Sequence, residues 1–385
     1  MKIAFVIQSL QLAGSEKVAF DLIKQYRGGN IECSLIAIYR SADPLGRERM
    51  LSELKAMGVE TIELDKLPGH SSMRTLRLFQ QAVDRQRPDV VHSHGGIPNM
   101  YAGLRNLLYR RIRTVLTLHS GADDWRGAKD NLLERLAIRG ADKIVSVAEH
   151  VASVYRNRFY QAGKKLVVIE NGIDPTTFKP LSPEEKRALR ESLGIGPRTP
   201  VLINVARIDP IKNQRFLIET AASLKAGGTE FRLLLVGNGQ DVSYERELRR
   251  RIVECRLETE VALLGSRSDV HGLLQISDAF LFPSEFEASP LALLEAICAD
   301  LPVVCSNIPA NRRLAEFSRE SHILERNPES WARTIERLLS TPVAAAPGPS
   351  AVPRLNAHLS LERVANDYMR LSYAGGEAAR LEAGL

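Results

Sequence analysis

Residues 201–239 read VLINVARIDPIKNQRFLIETAASLKAGGTEFRLLLVGNG. The apolar runs VLINVARI and FRLLLVGNG are of strand length and the stretch between them is of helical length, which predicts one strand–helix–strand unit. Downstream, VALLG, AFLFPS and PVVCSN repeat the pattern with helical stretches between them. Upstream lies a separate series of strand-like runs, KIAFVIQS, CSLIAIY, TIELD, VVHSH, TVLTLH, KIVSV and LVVIE. Its intervening segments, such as SEKVAFDLIKQY and TLRLFQQAVDRQ, carry apolar residues at i, i+3, i+4 spacing. Strands alternating with amphipathic helices are the pattern of parallel sheets built from βαβ units. Residues 172–200 hold five prolines and a short helical piece, and they predict an interdomain connection with its own cap. The fold class expected is therefore α/β with two sequential Rossmann-like domains. Near the end, AAAPGPSAVP at 344–353 predicts a flexible connector, LERVANDYMRLSYA a further amphipathic helix, and GGEAARLEAGL a loosely ordered tail.

The length of 385 residues agrees with two cores, since one rarely grows that large. No apolar stretch approaches the roughly 20 residues that cross a bilayer, and the first apolar run, IAFVI, is broken at Gln8, so a cytoplasmic protein is expected. Cys33, Cys255, Cys298 and Cys305 have neither CxxC spacing nor partnering histidines, which argues against a zinc site or a disulfide framework. The net charge of +6 is uneven: residues 1–180 hold 27 Lys and Arg against 19 Asp and Glu, the remainder 25 against 27. In LRNLLYRRIR, 104–113, Arg105, Arg110, Arg111 and Arg113 interleave with Leu104, Leu107, Leu108 and Ile112. That pattern suits an anionic membrane surface or an acidic acceptor, and it equally suits a solvated helix face followed by a strand. Basic residues are not interleaved with aromatics and no nucleic-acid motif is present, so nucleic acid is not expected as a partner.

Three places carry candidate chemistry. After the first strand, Gln11-Leu12-Ala13-Gly14-Ser15-Glu16 opens a helix; a glycine there lets backbone N–H groups approach a phosphate, although a plain strand-to-helix turn has the same form. In Ala206–Asn213, Arg207 and Lys212 follow the first strand of the second series, where open α/β sheets bind ligands. A guanidinium and a mobile ammonium there can converge on one anion, and surface cations at a helix start are the alternative. In FPSEFEASPLALLEA, 282–296, Ser289 reads as a helix cap and Pro290 as the first helical residue, so the amides of Leu291 and Ala292 point out of the helix start toward a diphosphate. Glu295 lies on an otherwise apolar helix; a ribose diol would satisfy both its oxygens, and solvent would do the same.

Glu287 and Glu295 are separated by seven residues. This EX7E spacing, preceded in chain order by the GSE turn, IENGID, ARIDPIKN, LLLVGNG and LLGSRSDV, resembles the retaining glycosyltransferases of family GT4, which have the GT-B fold. The resemblance extends from residue 1 to about 340. It implies two Rossmann-like domains facing across a cleft: 1–178 on the acceptor side, joined by the C-terminal helix 356–385, and 179–355 holding the nucleotide sugar. It further implies that Gly14, Arg207 and Lys212 contact the donor diphosphate, that Glu295 holds the ribose, and that Arg267 falls in the base-binding loop. Glu287 and His119, in TLHSG, would lie beside the transferred sugar. Two departures stand out: Ala288 occupies a position where the family usually has glycine, and NIPANRR lacks the frequent glycine-and-glutamate signature. His92 and His94, in VVHSH, resemble strand-end histidines that shape the acceptor cleft.

The expected activity is retaining transfer of a hexose-type sugar from a UDP- or GDP-sugar to a glycan or lipid-linked acceptor, in bacterial cell-surface polysaccharide or lipopolysaccharide synthesis. With no DxD or His/Asp cluster in place, Arg207, Lys212 and helix amides are expected to stabilise the leaving diphosphate without a metal or other cofactor. Peripheral association with an anionic membrane at its inner face is a further expected partnership. The competing readings are a nucleotide-sugar epimerase or hydrolase of the same fold and a noncatalytic carbohydrate binder.

Overall fold

The computed structural model describes residues 1–11, 14–29, 31–41, 43–67, 69, 71–109, 112–120, 128–239, 241–340 and 350–373. Leu12, Ala13, Arg110, Arg111, most of the connector and the tail after Tyr373 lie outside the described residues. The chain divides into two compact units, Met1–Gly172 with Leu359–Leu385, and Ile173–His358.

In the first unit, β1 (Lys2–Ile7), β2 (Glu32–Tyr39), β3 (Glu60–Lys66), β4 (Val90–His94), β5 (Arg113–Leu118), β6 (Lys143–Ser146) and β7 (Leu166–Val168) form one parallel sheet in the order β3-β2-β1-β4-β5-β6-β7. The strands are near-continuous apolar runs because helices cover both faces of such a sheet. Ile3 to Ile7 and Val90 to His94 are all buried. The order reverses between β1 and β4, where consecutive helices leave on opposite sides and the strand ends are left uncovered. The C-terminal helix Leu361–Tyr368 packs on this unit: the Tyr26 hydroxyl donates to the Ala365 carbonyl at 2.9 Å.

The second unit repeats the plan with β8 (Val201–Val205), β9 (Arg232–Val236), β10 (Val261–Gly265), β11 (Ala279–Phe282), β12 (Val303–Ser306) and β13 (Ser321–Leu324), ordered β10-β9-β8-β11-β12-β13 and again parallel. Its core centres on Trp331, fully buried and edge-on to Phe216 at 5.0 Å between ring centroids. The order reverses between β8 and β11. Gly237 carries the chain off β9 at φ +137°, and a Cβ there would stand 2.1 Å from the Ala206 carbonyl oxygen. Only glycine lets the exit of β9 run this close to the exit of β8, and that closeness positions Arg207.

Several boundaries differ from those expected. The first unit ends at 172 rather than 178, because the connector from Ile173 on belongs to the second: Phe178 stacks on His271 at 4.0 Å, and the Leu181 N–H donates to the Gln275 side chain at 2.7 Å. The helical piece of the connector, Pro183–Ser192, carries a full capping box between Ser182 and Glu185. The C-terminal boundary falls at 358 rather than 355, since the stretch expected to end a loose connector enters a helix, Val352–Leu359. The edge strand β13 was not legible: SHIL is short, half-exposed and opens on two polar residues.

Arg105 is not part of a basic surface. It is buried on the helix Gly96–Tyr109, with its Nε donating to the Gln80 side chain at 2.8 Å. The cysteines are all free, and burial pushes the Cys33, Cys298 and Cys305 thiols up to about 12, leaving them protonated and unreactive near neutrality. Among the described residues, no helix is long and apolar enough to cross a membrane.

Candidate active site

The second switch point gathers the residues expected at a donor site. Directly after β8, the Arg207 guanidinium lies 2.9 Å from the Asp209 carboxylate, and the Gln214 side chain donates to the Arg207 carbonyl at 2.8 Å. Asp209 also caps the single turn Pro210–Lys212 by accepting from the Ile211 N–H at 3.1 Å. That turn aims Lys212 inward, where its Nζ meets Glu287 Oε1 at 2.7 Å, with the two side chains only 19% and 9% exposed. The loop after β11 is tied to the same turn, since the Glu285 N–H donates to the Ile211 carbonyl at 2.8 Å. Lys212 is thus not the mobile point charge expected of a surface lysine: the fold holds it against a carboxylate 75 positions away.

The loop carrying Glu287 is anchored from behind by residues to which the sequence reading gave no role. The Ser306 hydroxyl donates to the Ser284 carbonyl at 2.5 Å, and the Asn311 amide donates to the Ser306 carbonyl at 3.0 Å. All three side chains are buried. Asn311 lies in NIPANRR, the segment that departs from the family signature, and beside Asn307, Arg312 and Arg313 nothing local marks it as the buried polar residue.

The following helix runs Leu291–Cys298 with Pro290 as its cap residue and no side-chain cap. The expected Ser289 cap is displaced by one position because Pro290 is extended, at ψ 113°. The first-turn amides, Leu291 and Ala292 among them, have no partner within the helix and supply its partial positive end. Glu295 is half-buried one turn further on, neither sequestered in the core nor free in solvent. Next to this edge, Asn238 after β9 accepts from the Ser266 N–H at 2.9 Å, fixing the loop after β10. In that loop Arg267 grips Asp269 through both oxygens, at 2.8 and 2.7 Å, and holds its carboxyl below the usual range.

At the switch point of the first unit, Gly14 opens its helix at φ +48° with open space where a Cβ would stand. This is a left-handed conformation that favours glycine at a place where a ligand can approach the backbone. On the neighbouring strand ends, His94 Nδ1 lies 3.0 Å from His119 Nε2. Burial drives His119 down to about 3 and His94 well below the ordinary histidine value, so both are neutral at pH 7, although His119 as a residue is half-buried and not fully enclosed. His92 does not line a cleft. It is fully buried, with Tyr373 OH 2.5 Å from its Nδ1 and Thr117 Oγ1 2.7 Å from its Nε2. His94 is likewise buried and partners His119 rather than shaping a surface.

A family model described as glycosyl transferases group 1 matches residues 185–347, and one described as Glycosyltransferase Family 4 matches residues 12–177. The chain is 25% identical over 338 residues, 85% of its length and 84% of the relative's, to the UDP-Gal:alpha-D-GlcNAc-diphosphoundecaprenol alpha-1,3-galactosyltransferase of Escherichia coli. It is 26% identical over 302 residues, 76% of its length and 80% of the relative's, to the capsular polysaccharide biosynthesis glycosyltransferase CapH of Staphylococcus aureus. Among solved structures it resembles HepE of Anabaena in complex with UDP and glucose, with a TM-score of 0.80 at 20% identity and 100% of each chain covered.

Two outcomes follow from this geometry. Replacing Lys212 with Met removes the ammonium held against the Glu287 carboxylate and should destabilise the second unit by about 3 kcal/mol, the low end for a broken buried pair because Lys212 keeps some water contact. The double replacement Lys212→Met with Glu287→Leu should recover most of that loss in urea unfolding; a double variant as unstable as the single one would show that the pair is not what holds the loop. In the first unit, His92, His94 and His119 titrate below their unfolded value, so their stabilisation is complete above pH about 6.5 and is lost as pH falls. Between pH 6.5 and 5, before most carboxylates titrate, the first unit should lose about 1 kcal/mol per pH unit for each fully shielded histidine, the slope rising toward about 1.4 as pH falls. A flat urea midpoint across that window would contradict the burial of these rings.

Proposed function

The chain belongs to the GT4 glycosyltransferases with the GT-B fold, and we propose that it transfers a hexose from UDP to a glycan or lipid-linked acceptor, with retention of configuration, in bacterial cell-surface polysaccharide synthesis. The observation that carries this reading is the buried Lys212–Glu287 pair at the reversal of the second sheet, on the edge that also bears Arg207 and the start of the helix at Leu291. A diphosphate on that edge would meet two cations and unpaired amides, the electrostatic complement of a leaving group that gains negative charge. Lys212 has three N–H donors, so it can keep Glu287 and still reach a phosphate oxygen. Arg207 would exchange Asp209 for phosphate. We assign the ribose diol to Glu295, the nucleobase loop to Arg267, the diphosphate also to Leu291 and Gly14, and the transferred sugar to Glu287 and His119.

UDP is favoured over GDP because the Escherichia coli relative is named for UDP-Gal and the Anabaena structure holds UDP and glucose. In the step we propose, the bond from the anomeric carbon to the phosphate oxygen breaks and the acceptor oxygen bonds to the same face. The acceptor's proton passes to the departing phosphate oxygen. Arg207, Lys212 and the helix amides carry the developing charge, so transfer should proceed unchanged with EDTA present.

A thermal-shift screen of UDP- and GDP-sugars tests the donor: a ligand at 100 times its dissociation constant should stabilise the protein by about 2.7 kcal/mol, and silence from every UDP-sugar would end the UDP assignment. Arg207→Ala should lower kcat/KM at least tenfold; full turnover with undiminished donor affinity would remove the phosphate clamp.

For the acceptor side, we propose docking to an anionic membrane at its inner face through the end of the helix Gly96–Tyr109. There Leu108 is 63% and Tyr109 46% exposed, next in sequence to Arg110, Arg111 and Arg113. Replacing the three arginines with Gln should weaken sedimentation with phosphatidylglycerol vesicles, most at low salt. Unchanged binding would refute the docking.

A further inference from the structure

One face of the first sheet carries a line of imidazole rings whose hydrogen bonds leave little choice of proton position. His92 and His94 lie two residues apart on β4, their ring centroids 4.2 Å apart, and Phe5 on β1 packs against both at 5.3 and 6.0 Å. His92 has hydroxyls at both nitrogens, Tyr373 at 2.5 Å and Thr117 at 2.7 Å, and the Thr117 hydroxyl lies 3.4 Å from that of Tyr368. His94 has its Nδ1 against His119 Nε2 at 3.0 Å. Its own Nε2 is buried without a hydrogen-bonding partner among the described residues.

A neutral imidazole has one N–H and one lone pair, and the bond made at one nitrogen decides which is which. Were the His94 proton on Nε2, a buried N–H would have no acceptor, which folded proteins tolerate less often than an under-used acceptor. The proton therefore sits on Nδ1 and is donated to His119 Nε2. His119, accepting there and neutral, must carry its own proton on Nδ1, the nitrogen not turned toward His94.

We propose that His94 is a positioning residue that fixes His119 as an Nδ1–H hydrogen-bond donor toward a ligand oxygen, and that Tyr373 braces His94 through His92. The ligand half of this rests on the reading of His119 as a substrate-facing residue. It makes His119 a donor to a sugar hydroxyl or phosphate oxygen and not the base that removes the acceptor's proton. The brace comes from the C-terminal segment: the Tyr373 hydroxyl at His92 Nδ1 and the Thr117 hydroxyl at Nε2 hold the ring from both sides, and the fixed ring is the floor on which His94 lies.

The tautomers are read in the full-length protein labelled with nitrogen-15 histidine, from long-range proton–nitrogen correlations at pH 7, with the His119 signals identified by their loss in His119→Asn. Wild-type His119 should carry its proton on Nδ1; a proton on Nε2 overturns the proposal. His94→Asn, which keeps an N–H near the same point, should retain that tautomer and release UDP from UDP-glucose or UDP-galactose, with acceptor, at close to the wild-type kcat. His94→Phe should lose the tautomer and lower kcat about tenfold, the worth of one lost hydrogen bond, with the donor KM and the melting temperature nearly unchanged. Equal behaviour of the Asn and Phe variants in spectrum and kcat overturns the positioning role. Tyr373→Phe should fall between them, and a wild-type result removes the brace. A wild-type tautomer as expected, together with transfer indifferent to His119→Ala, which removes the ring N–H altogether, would overturn the ligand half alone and leave the hydrogen-bond assignment standing.

Discussion

Everything at the second unit's candidate site depends on a reversal of strand order. In a parallel sheet each strand hands the chain to a helix that returns over one face, and where the order turns back, two neighbouring strands send their helices to opposite faces. Between β8 and β11 this leaves strand ends exposed with their loops splayed apart. The chain fills that opening with Arg207 and the Pro210–Lys212 turn from one side and the Ser284–Ala288 loop from the other. The first unit has the same opening between β1 and β4, and there it sets Gly14 and the His94–His119 pair.

The charges in the second opening are organised before any ligand arrives. Lys212 and Glu287 satisfy one another in surroundings that shed most water, and desolvation makes each costly without the other. Arg207 and Arg267, more exposed, rest on Asp209 and Asp269. Such an arrangement holds positive charge beside built-in counterions, so an anion bound there would exchange partners with the protein instead of drawing bare cations out of water. The backing of the loop by Ser306 and Asn311 keeps Glu287 from following Lys212 if the lysine turns toward a phosphate.

The first unit works by the opposite means. Its histidines are neutral because burial removes the water that would stabilise imidazolium. What remains is the direction of N–H groups, set by hydroxyls from the C-terminal segment and by the stacked order of the rings. A segment that in sequence reads only as an amphipathic helix therefore has a part in the geometry of a strand end more than 250 positions earlier.

The sequence by itself determined the strands and most of their order of use, because apolar runs of strand length separated by 3.6-period helices admit few arrangements other than parallel sheets. It also determined the donor-side candidates: Arg207, Lys212, Glu287 and Glu295 lie on loops and a helix whose positions after β8 and β11 were readable as short motifs. Residues near a chain boundary or an edge escaped it, as β13, the cap at Pro290 and the division at Gly172 did, since there a single backbone angle or a contact such as Phe178 on His271 decides the outcome. Partners far apart in the chain escaped it too. That Lys212 is held by Glu287, that Arg105 is buried against Gln80, and that His92 belongs to Tyr373 and not to a cleft are facts of tertiary packing. Local pattern fixes which residues reach a strand end; only the folded chain fixes which polar group from another element stands within hydrogen-bonding distance, and that distance decides whether a charged or titratable side chain is a clamp, a brace or a donor.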